Sequence, residues 1–160
     1  MSNIVLVGMP GCGKSTVGVL LAKALGMDFV DTDVVLQAKE GRMLQSIIEE
    51  IGVDGFLAKE EEAILGLDCE NTVVATGGSV IYGPKAMEHL REISTVIYLK
   101  VNCSTLKKRL GDLTKRGVVL KPGQTLRDLY EERTALYKKY ADIIVDCSGD
   151  AYPKYQARVI

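Results

Sequence analysis

Short apolar runs alternate with stretches of helical periodicity along the 160-residue chain. Five of the runs are apolar at consecutive positions, which is typical of strands buried on both faces of a parallel sheet. We predict strands at 3–7, 28–31, 72–76, 95–99 and 142–146. The helical patterns fall at 14–25, 33–39, 43–51, 54–66, 84–91, 103–110 and 124–140. The alternation predicts an α/β fold with right-handed crossovers between parallel strands.

Two segments depart from a simple alternation. Residues 33–66 are a long helical excursion between the second and third predicted strands. The segment GDLTKRGVVLKPGQ (111–124) mixes glycine, proline and basic residues, as mobile surface loops that act as lids often do. Gly26 stands where a glycine commonly ends a helix. The length suits one domain over residues 1–160, and an apolar fraction of 47% is enough for a core.

Composition and charge argue against several classes of protein. Lys and Arg number 20 against 21 Asp and Glu, and the net charge of −1 predicts no nucleic-acid partner and no acidic membrane surface. No apolar run is long enough to span a membrane, and the N-terminus lacks the basic segment and cleavage site of a secretory signal. We therefore expect a cytoplasmic protein. The four cysteines are widely spaced beside one histidine, which favours free thiols over a zinc site.

The stretch GMPGCGKS (8–15) matches the phosphate-binding pattern G-x-x-x-x-G-K-[ST] between a predicted strand and a predicted helix. The glycines let successive backbone N–H groups face one anion, and the helix N-terminus adds the positive end of its dipole. Lys14 can bridge the β and γ phosphates of ATP, and the Ser15 hydroxyl can ligate Mg²⁺. The residues expected to bind the nucleotide are Gly11, Cys12, Gly13, Lys14, Ser15 and Thr16.

This motif alone is shared by kinases, ATPases, GTPases and regulatory modules. The sequence contains no NKxD motif, which a Ras-like GTPase needs to read its base. The chain is also short for a motor ATPase. These two observations favour a small kinase.

Two acidic residues follow the second predicted strand, at the edge where open α/β sheets bind ligands. Asp31 can hold a metal-bound water, and Asp33 can accept a hydrogen bond from a substrate hydroxyl and act as its base. The alternative is that both aspartates cap a helix. The third predicted strand ends at the same edge in Thr76, Gly77 and Gly78. These glycines either let a ligand lie against backbone N–H groups or form a tight turn.

Taken together, the motifs resemble those of the shikimate kinase family. They are GxxGxGKSTxGxxLAxxLG, F-x-D-x-D, F-x-x-x-E, ATGG, a basic lid and R-x-x-L-Y-x-x-Y-A-D, in that order across residues 4–146. The resemblance implies a three-layer P-loop NTPase fold: a five-stranded parallel sheet flanked by helices, with a lid at 111–124 and a helical substrate-binding insertion at 33–66. It implies transfer of the γ-phosphoryl group of ATP to a hydroxyl of shikimate, with Mg²⁺ as cofactor, and it favours a monomer.

The resemblance also implies roles for individual residues. Asp31 would help to place Mg²⁺, Asp33 would contact the acceptor hydroxyls, and Arg133 would pair with the substrate carboxylate. The other positions implied to bind the substrate are Phe56, Leu57, Gly77, Gly78 and Ser79. Arg116 in the lid would stabilise the transferring phosphoryl group. Arg109 would stack on adenine, with Pro153 near its other face. From the residues alone, Arg109 and Arg133 could equally lie on solvated helix faces.

One departure from the family pattern falls on the acceptor side. The family has an arginine directly after the phenylalanine, where this chain has Leu57. A guanidinium offers a planar fork to a carboxylate, and the loss of one such contact costs about 1.5–3 kcal/mol. Lys59 is no simple replacement, because it lies nearly on the opposite side of the helix. Arg42 could reach in from the first part of the helical excursion. Ser79 replaces the family's third glycine.

Three hypotheses follow from these observations. The first is a shikimate kinase that tolerates Leu57. The second is a related kinase whose hydroxylated acceptor lacks the carboxylate or presents it differently. The third is a nucleotide-binding regulatory module without an acceptor, for which Asp33 would be dispensable.

Overall fold

A computed structural model describes residues 3–110 and 120–148 of the chain. Its sheet contains the strands β1 (Asn3–Val7), β2 (Asp28–Asp31), β3 (Thr72–Ala75), β4 (Ser94–Lys100) and β5 (Ile143–Asp146). They pair in the order β2-β3-β1-β4-β5, and every pairing is parallel. The predicted five-stranded parallel sheet is confirmed.

The helices also lie where the periodicity predicts them. They are α1 (Lys14–Leu25), α2 (Thr32–Glu40), α3 (Leu44–Leu65), α4 (Pro84–Ile93), α5 (Cys103–Leu110) and α6 (Leu126–Tyr140). A short 3₁₀ turn at Val80–Tyr82 was not predicted. Gly52 interrupts α3 with a φ of 76° and a ψ of 178°, so the two predicted helices at 43–51 and 54–66 are the two halves of α3. Gly26 ends α1 in the left-handed region, as predicted.

Burial along the strands shows that both faces of the sheet are covered. All four residues of β3 are buried, although successive side chains of a strand point to opposite faces. The central strands β1 and β4 are nearly as buried, whereas the edge strand β5 is largely exposed. Within the described ranges, no helix is both long and apolar enough to cross a membrane.

The parallel arrangement brings three strand ends to one edge of the sheet. β1 leads into the phosphate loop, β2 ends at Asp31, and β3 ends at Ala75 just before Thr76 and the two glycines. A second element approaches this edge from the far end of the chain. Helix α6 begins with a capping box, in which the Thr125 hydroxyl accepts from Asp128 N–H at 3.1 Å and the Asp128 carboxylate accepts from Thr125 N–H at 3.0 Å. This cap explains why α6 begins at Leu126 and not at 124.

Candidate active site

The phosphate loop adopts a conformation that only glycines accommodate easily. Gly11 and Gly13 have φ values of +80° and +96°, in the left-handed region. Gly8 is limited by space as well, because a Cβ atom there would lie 2.8 Å from the Leu99 carbonyl oxygen and 2.9 Å from Cys12 Sγ. The sequence of the loop therefore fixes its curled backbone.

The ammonium group of Lys14 lies under this loop. It donates to the carbonyl oxygens of Gly8 at 2.6 Å and Met9 at 3.0 Å, and only 8% of the residue is exposed. The Cys12 side chain is buried, and its backbone N–H donates to the Met9 carbonyl at 3.2 Å. The predicted contact of Cys12 with a nucleotide stays a prediction, and in this structure the residue shapes the loop from inside. Ser15 and Thr16 line the cleft beside it.

Asp31 caps a helix, as one of the two interpretations predicts, and it also contacts Ser15, while its role at a metal stays a prediction. One carboxylate oxygen accepts from the Ser15 hydroxyl at 2.8 Å. The other accepts from the backbone N–H groups of Asp33 at 3.0 Å and Val34 at 3.4 Å, which makes Asp31 the N-cap of α2. Hydroxyl and carboxylate oxygens beside a phosphate loop are the hard ligands that Mg²⁺ prefers. The pair of Ser15 and Asp31 therefore fits a magnesium site.

The Asp33 carboxylate points into the same cleft. Burial raises the pKa of this carboxyl, the charge of Lys14 opposes that effect, and the charge of Asp31 adds to it, so the net change is upward. Asp33 is therefore a partly desolvated carboxylate beside a buried ammonium group. Such a group can accept a hydrogen bond or a proton from a ligand hydroxyl.

Gly77 and Gly78 are required by space, not by φ. A Cβ atom at Gly77 would lie 2.6 Å from an Asp33 carboxylate oxygen and 2.7 Å from a Glu60 carboxylate oxygen. At Gly78 it would lie 2.7 Å from Pro10 Cδ and 2.9 Å from an Arg133 guanidinium nitrogen. The two glycines therefore let acidic and basic side chains approach the loop backbone from two sides.

Arg133 is a buried residue of α6, with 4% of its surface exposed. The alternative interpretation, a solvated helix face, is wrong for this arginine. Its guanidinium lies over the Tyr82 ring at 5.4 Å from the centroid. One turn further along α6, the Tyr137 hydroxyl donates to the Gly78 carbonyl at 2.5 Å. Helix α6 is thus fixed, beside the cleft, to the loop that contains Gly77 and Gly78.

Sequence reasoning gave no role to Glu60, although this residue is central to the site. It is 5% exposed, and one of its oxygens accepts from the Ser79 hydroxyl at 2.7 Å. Burial is the main reason that its pKa rises to about 7. A usable signal was present in the motif F-x-x-x-E, because Phe56 and Glu60 are four residues apart and share one helix face. A glutamate on the same face as a buried phenylalanine is a candidate buried acid.

Two basic residues were considered as replacements for the arginine that the family pattern has at position 57, and neither lies at the cleft. Arg42 pairs with Glu50, and Lys59 pairs with Glu40 at 3.5 Å. Neither lines the cleft, which has a volume of about 650 Å³. The cations among the described residues that do line it are Lys14, Lys121 and Arg133. Leu57 lines it as well, beside Phe56, so the wall at this point is apolar.

Three further predicted residues have different outcomes. Arg109 lies near the end of α5, and its guanidinium donates to the carbonyl of Gly11 at 3.3 Å. That position is beside the phosphate loop, and the expected stacking of Arg109 on adenine stays a prediction. Arg116, Pro153 and residues 111–119 of the predicted lid lie outside the described residues.

Comparisons with known proteins point to one family. The family model for shikimate kinase matches residues 10–159. A shikimate kinase of Psychrobacter sp. is 37% identical over all of this chain and 90% of its own length, and shikimate kinase 2 of Enterobacter sp. is 40% identical over 91% of this chain and 86% of its own.

Solved structures agree with the sequence comparisons. The structure of the Acinetobacter baumannii shikimate kinase in complex with shikimate superposes with a TM-score of 0.90 at 32% identity, covering 99% of this chain and 90% of that one. The Aquifex aeolicus shikimate kinase gives a TM-score of 0.84 at 30% identity, covering 98% of this chain and 93% of that one. The predicted resemblance is confirmed, and the chain belongs to the shikimate kinase family.

Proposed function

We propose that this protein transfers the γ-phosphoryl group of ATP to a hydroxyl of shikimate. The observation that carries the proposal is one continuous cleft of about 650 Å³. The phosphate loop with Lys14 lines one part of it, and Asp33 and Arg133 line another. A phosphate donor and a hydroxylated carboxylic acid can therefore meet in one space. The shikimate bound to the related A. baumannii enzyme supports the choice of acceptor.

On the phosphate side, the loop N–H groups and Lys14 bind the β and γ phosphates of ATP. Ser15 and Asp31 would hold Mg²⁺, which would supply positive charge beside the phosphates. Arg109 lies beside the loop, in keeping with a contact to the nucleotide base. The roles proposed for Arg116 at the transferring group and for Pro153 near adenine rest on the family resemblance alone.

On the acceptor side, Asp33 accepts a hydrogen bond from the reacting hydroxyl and removes its proton as the new P–O bond forms. The bond between the γ-phosphorus and the β–γ bridging oxygen breaks in the same step, and ADP leaves with that oxygen. Arg133 holds the carboxylate of the acceptor, since its buried guanidinium is a strong partner for an anion. Gly77 and Gly78 bring these two groups close to the loop backbone, and Phe56 supplies an apolar wall. Transfer then depends on positioning and charge stabilisation.

An ADP-release assay with ATP, Mg²⁺ and shikimate tests the proposal. We expect shikimate-dependent turnover that falls strongly in Asp33→Asn. The matched control is Asp28→Asn, because Asp28 is exposed at the opposite end of β2 from the site. No turnover at millimolar shikimate would refute shikimate as the acceptor. Full shikimate-dependent turnover in Asp33→Asn would refute the role of this carboxylate as base. ATP turnover that does not depend on shikimate and is unchanged in Asp33→Asn would instead favour a regulatory module.

The apolar wall at Leu57 favours a second candidate function. A cleft with one buried arginine and a leucine beside it suits a hydroxylated acceptor that presents its carboxylate differently or has none. A panel of polyols, sugars and hydroxy acids in the same assay separates the two candidates. If another acceptor gives a higher kcat/KM than shikimate, the second candidate is correct. If shikimate exceeds all of them, it is not.

A further inference from the structure

Two buried polar atoms without a partner belong to the residues that line the cleft. Glu60 Oε2 and Arg133 Nε form no hydrogen bond among the described residues, and the two residues are 5% and 4% exposed. They also form none of the ion pairs found in the described part of the chain. Buried polar groups are normally satisfied, so these two atoms point to a polar ligand between α3 and α6.

Ser79 holds the Glu60 carboxylate in this position. Its hydroxyl donates to Oε1 at 2.7 Å, while Oε2 lies against Gly77. Leu57, one helical turn before Glu60 on α3, has no polar atom to offer. Leu57 and Ser79 are both departures from the family pattern. The Ser79 hydroxyl therefore supplies Glu60 with a hydrogen bond that the Leu57 side chain cannot offer.

The charges around Glu60 come from three helices. Burial raises the pKa of Glu60 to about 7, and the Ser79 hydrogen bond lowers it. The charge of Asp33 on α2 raises this pKa, whereas the charges of Arg133 on α6 and Lys14 on α1 lower it. Glu60 therefore changes its protonation state near neutral pH, although it is enclosed in the site.

We propose, on the basis of the proposed function, that Ser79 and Glu60 are a positioning pair. The pair couples binding of the acceptor carboxylate at Arg133 to the uptake of one proton by Glu60. An acceptor carboxylate at Arg133 faces like charge from an ionised Glu60. A proton taken from solvent onto Oε2 removes this repulsion and turns the unpartnered oxygen into a donor for an acceptor oxygen. The acceptor's own carboxyl group stays ionised at neutral pH, so the proton belongs to the protein.

The coupling predicts a KM for shikimate that rises with pH. Above pH 7 the increase should approach about tenfold per pH unit, since one proton is bound with each acceptor. The Ser79 hydroxyl stabilises the ionised carboxylate, so Ser79→Ala should move the start of the rise to higher pH. The glutamine in Glu60→Gln cannot ionise, so the KM of this variant for shikimate should not rise with pH in this way. The kcat should change much less than KM, because Glu60 does not touch the transferred group.

The experiment measures KM and kcat for shikimate from pH 5.5 to 9 at saturating ATP for the wild type and both variants. Ser46→Ala is the matched control, because Ser46 is an exposed residue of α3 away from the cleft. Calorimetric titration of the wild type with shikimate at pH 8, in buffers of different ionisation enthalpy, counts the protons taken up. We expect nearly one proton, and this measurement does not depend on a variant that folds.

Two results would overturn the coupling. One is turnover of shikimate with no proton uptake and no rise of KM above pH 7. The other is a rise that persists in Glu60→Gln, which would assign the proton to another group. An unchanged pH profile in Ser79→Ala would overturn the role of Ser79. Absence of both binding and turnover of shikimate would instead refute the proposed function itself.

Discussion

The buried carboxyl group of Glu60 predicts an unusual dependence of stability on pH. Its ordinary pKa of 4.5 rises to about 7 in the fold, chiefly because of burial. Below pH 4.5 the group is protonated in both the folded and the unfolded chain, so its ionisation does not change the free energy of unfolding. Between pH 4.5 and 7 the unfolded chain releases a proton that the folded chain keeps, so this group's contribution to the free energy of unfolding falls as pH rises. Above pH 7 the loss is complete.

The size of the loss follows from the change in pKa. Each unit corresponds to about 1.4 kcal/mol, and the change from 4.5 to about 7 therefore corresponds to about 3 kcal/mol at pH 8. Glu60→Gln removes the ionisable group but keeps its shape and an oxygen that accepts from Ser79. The variant should match the wild type near pH 4.5 and exceed its free energy of unfolding by this amount at pH 8. For a chain of this length, that difference corresponds to roughly 6–12 °C in Tm.

Thermal and urea unfolding monitored by far-UV circular dichroism, from pH 4.5 to 8.5 and without nucleotide, measures the effect. Glu88→Gln is the matched control, since Glu88 is exposed on α4. The quantity of interest is the difference between variant and wild type as a function of pH. If that difference is the same at pH 4.5 and pH 8, the reasoning about Glu60 is refuted, whatever the absolute stabilities are.

Three other substitutions test the site. Leu57→Arg adds a guanidinium fork for the substrate carboxylate and should lower the KM for shikimate about tenfold or more, whereas Leu57→Met should not. An unchanged KM in both variants would contradict the carboxylate clamp. Gly77→Ala places a methyl group 2.6 Å from one carboxylate oxygen and should lower kcat/KM about tenfold to a hundredfold. Gly66→Ala, whose nearest atoms are 3.6 Å away, should leave kcat/KM unchanged, and equal losses in both would refute the steric argument. Tyr137→Phe leaves a loop carbonyl 2.5 Å away without its donor and should lower the free energy of unfolding by about 1–3 kcal/mol in urea titrations. Tyr140→Phe is the comparison, and an equal effect there would contradict a specific hydrogen bond.

The strands and helices were predictable because each carries its own periodicity. The β3 segment is apolar at consecutive positions, and the structure buries all four residues from Thr72 to Ala75. The beginning of α6 was predicted two residues early, because the sequence pattern did not identify Thr125 as the residue that caps it. The 3₁₀ turn at Val80–Tyr82 was missed, since three residues carry no period. Local signals therefore gave the elements, and errors arose at their ends.

The order of the strands needed more than periodicity. β1 lies in the centre of the sheet, between β3 and β4, although it comes first in the chain. No residue of β1 by itself indicates that this strand lies in the centre of the sheet. The phosphate loop after β1 and the family resemblance predicted a five-stranded parallel sheet, but the order of its strands was not predicted. The prediction of the sheet thus rested on a motif as well as on hydrophobic pattern.

The two parts of the site differ in how far apart their residues lie in sequence. The phosphate loop is continuous from Gly8 to Ser15, so one motif specified its backbone, its cation and the residue proposed to ligate the metal. The acceptor side combines α2, α3, the loop after β3 and α6, and Arg133 is 100 residues from Asp33. In such a site the effect of one substitution depends on a neighbour that is distant in sequence. Leu57 read alone indicates a lost contact, whereas the structure shows the Ser79 hydroxyl bonded to Glu60, the carboxyl group to which we assign the proton taken up with the acceptor.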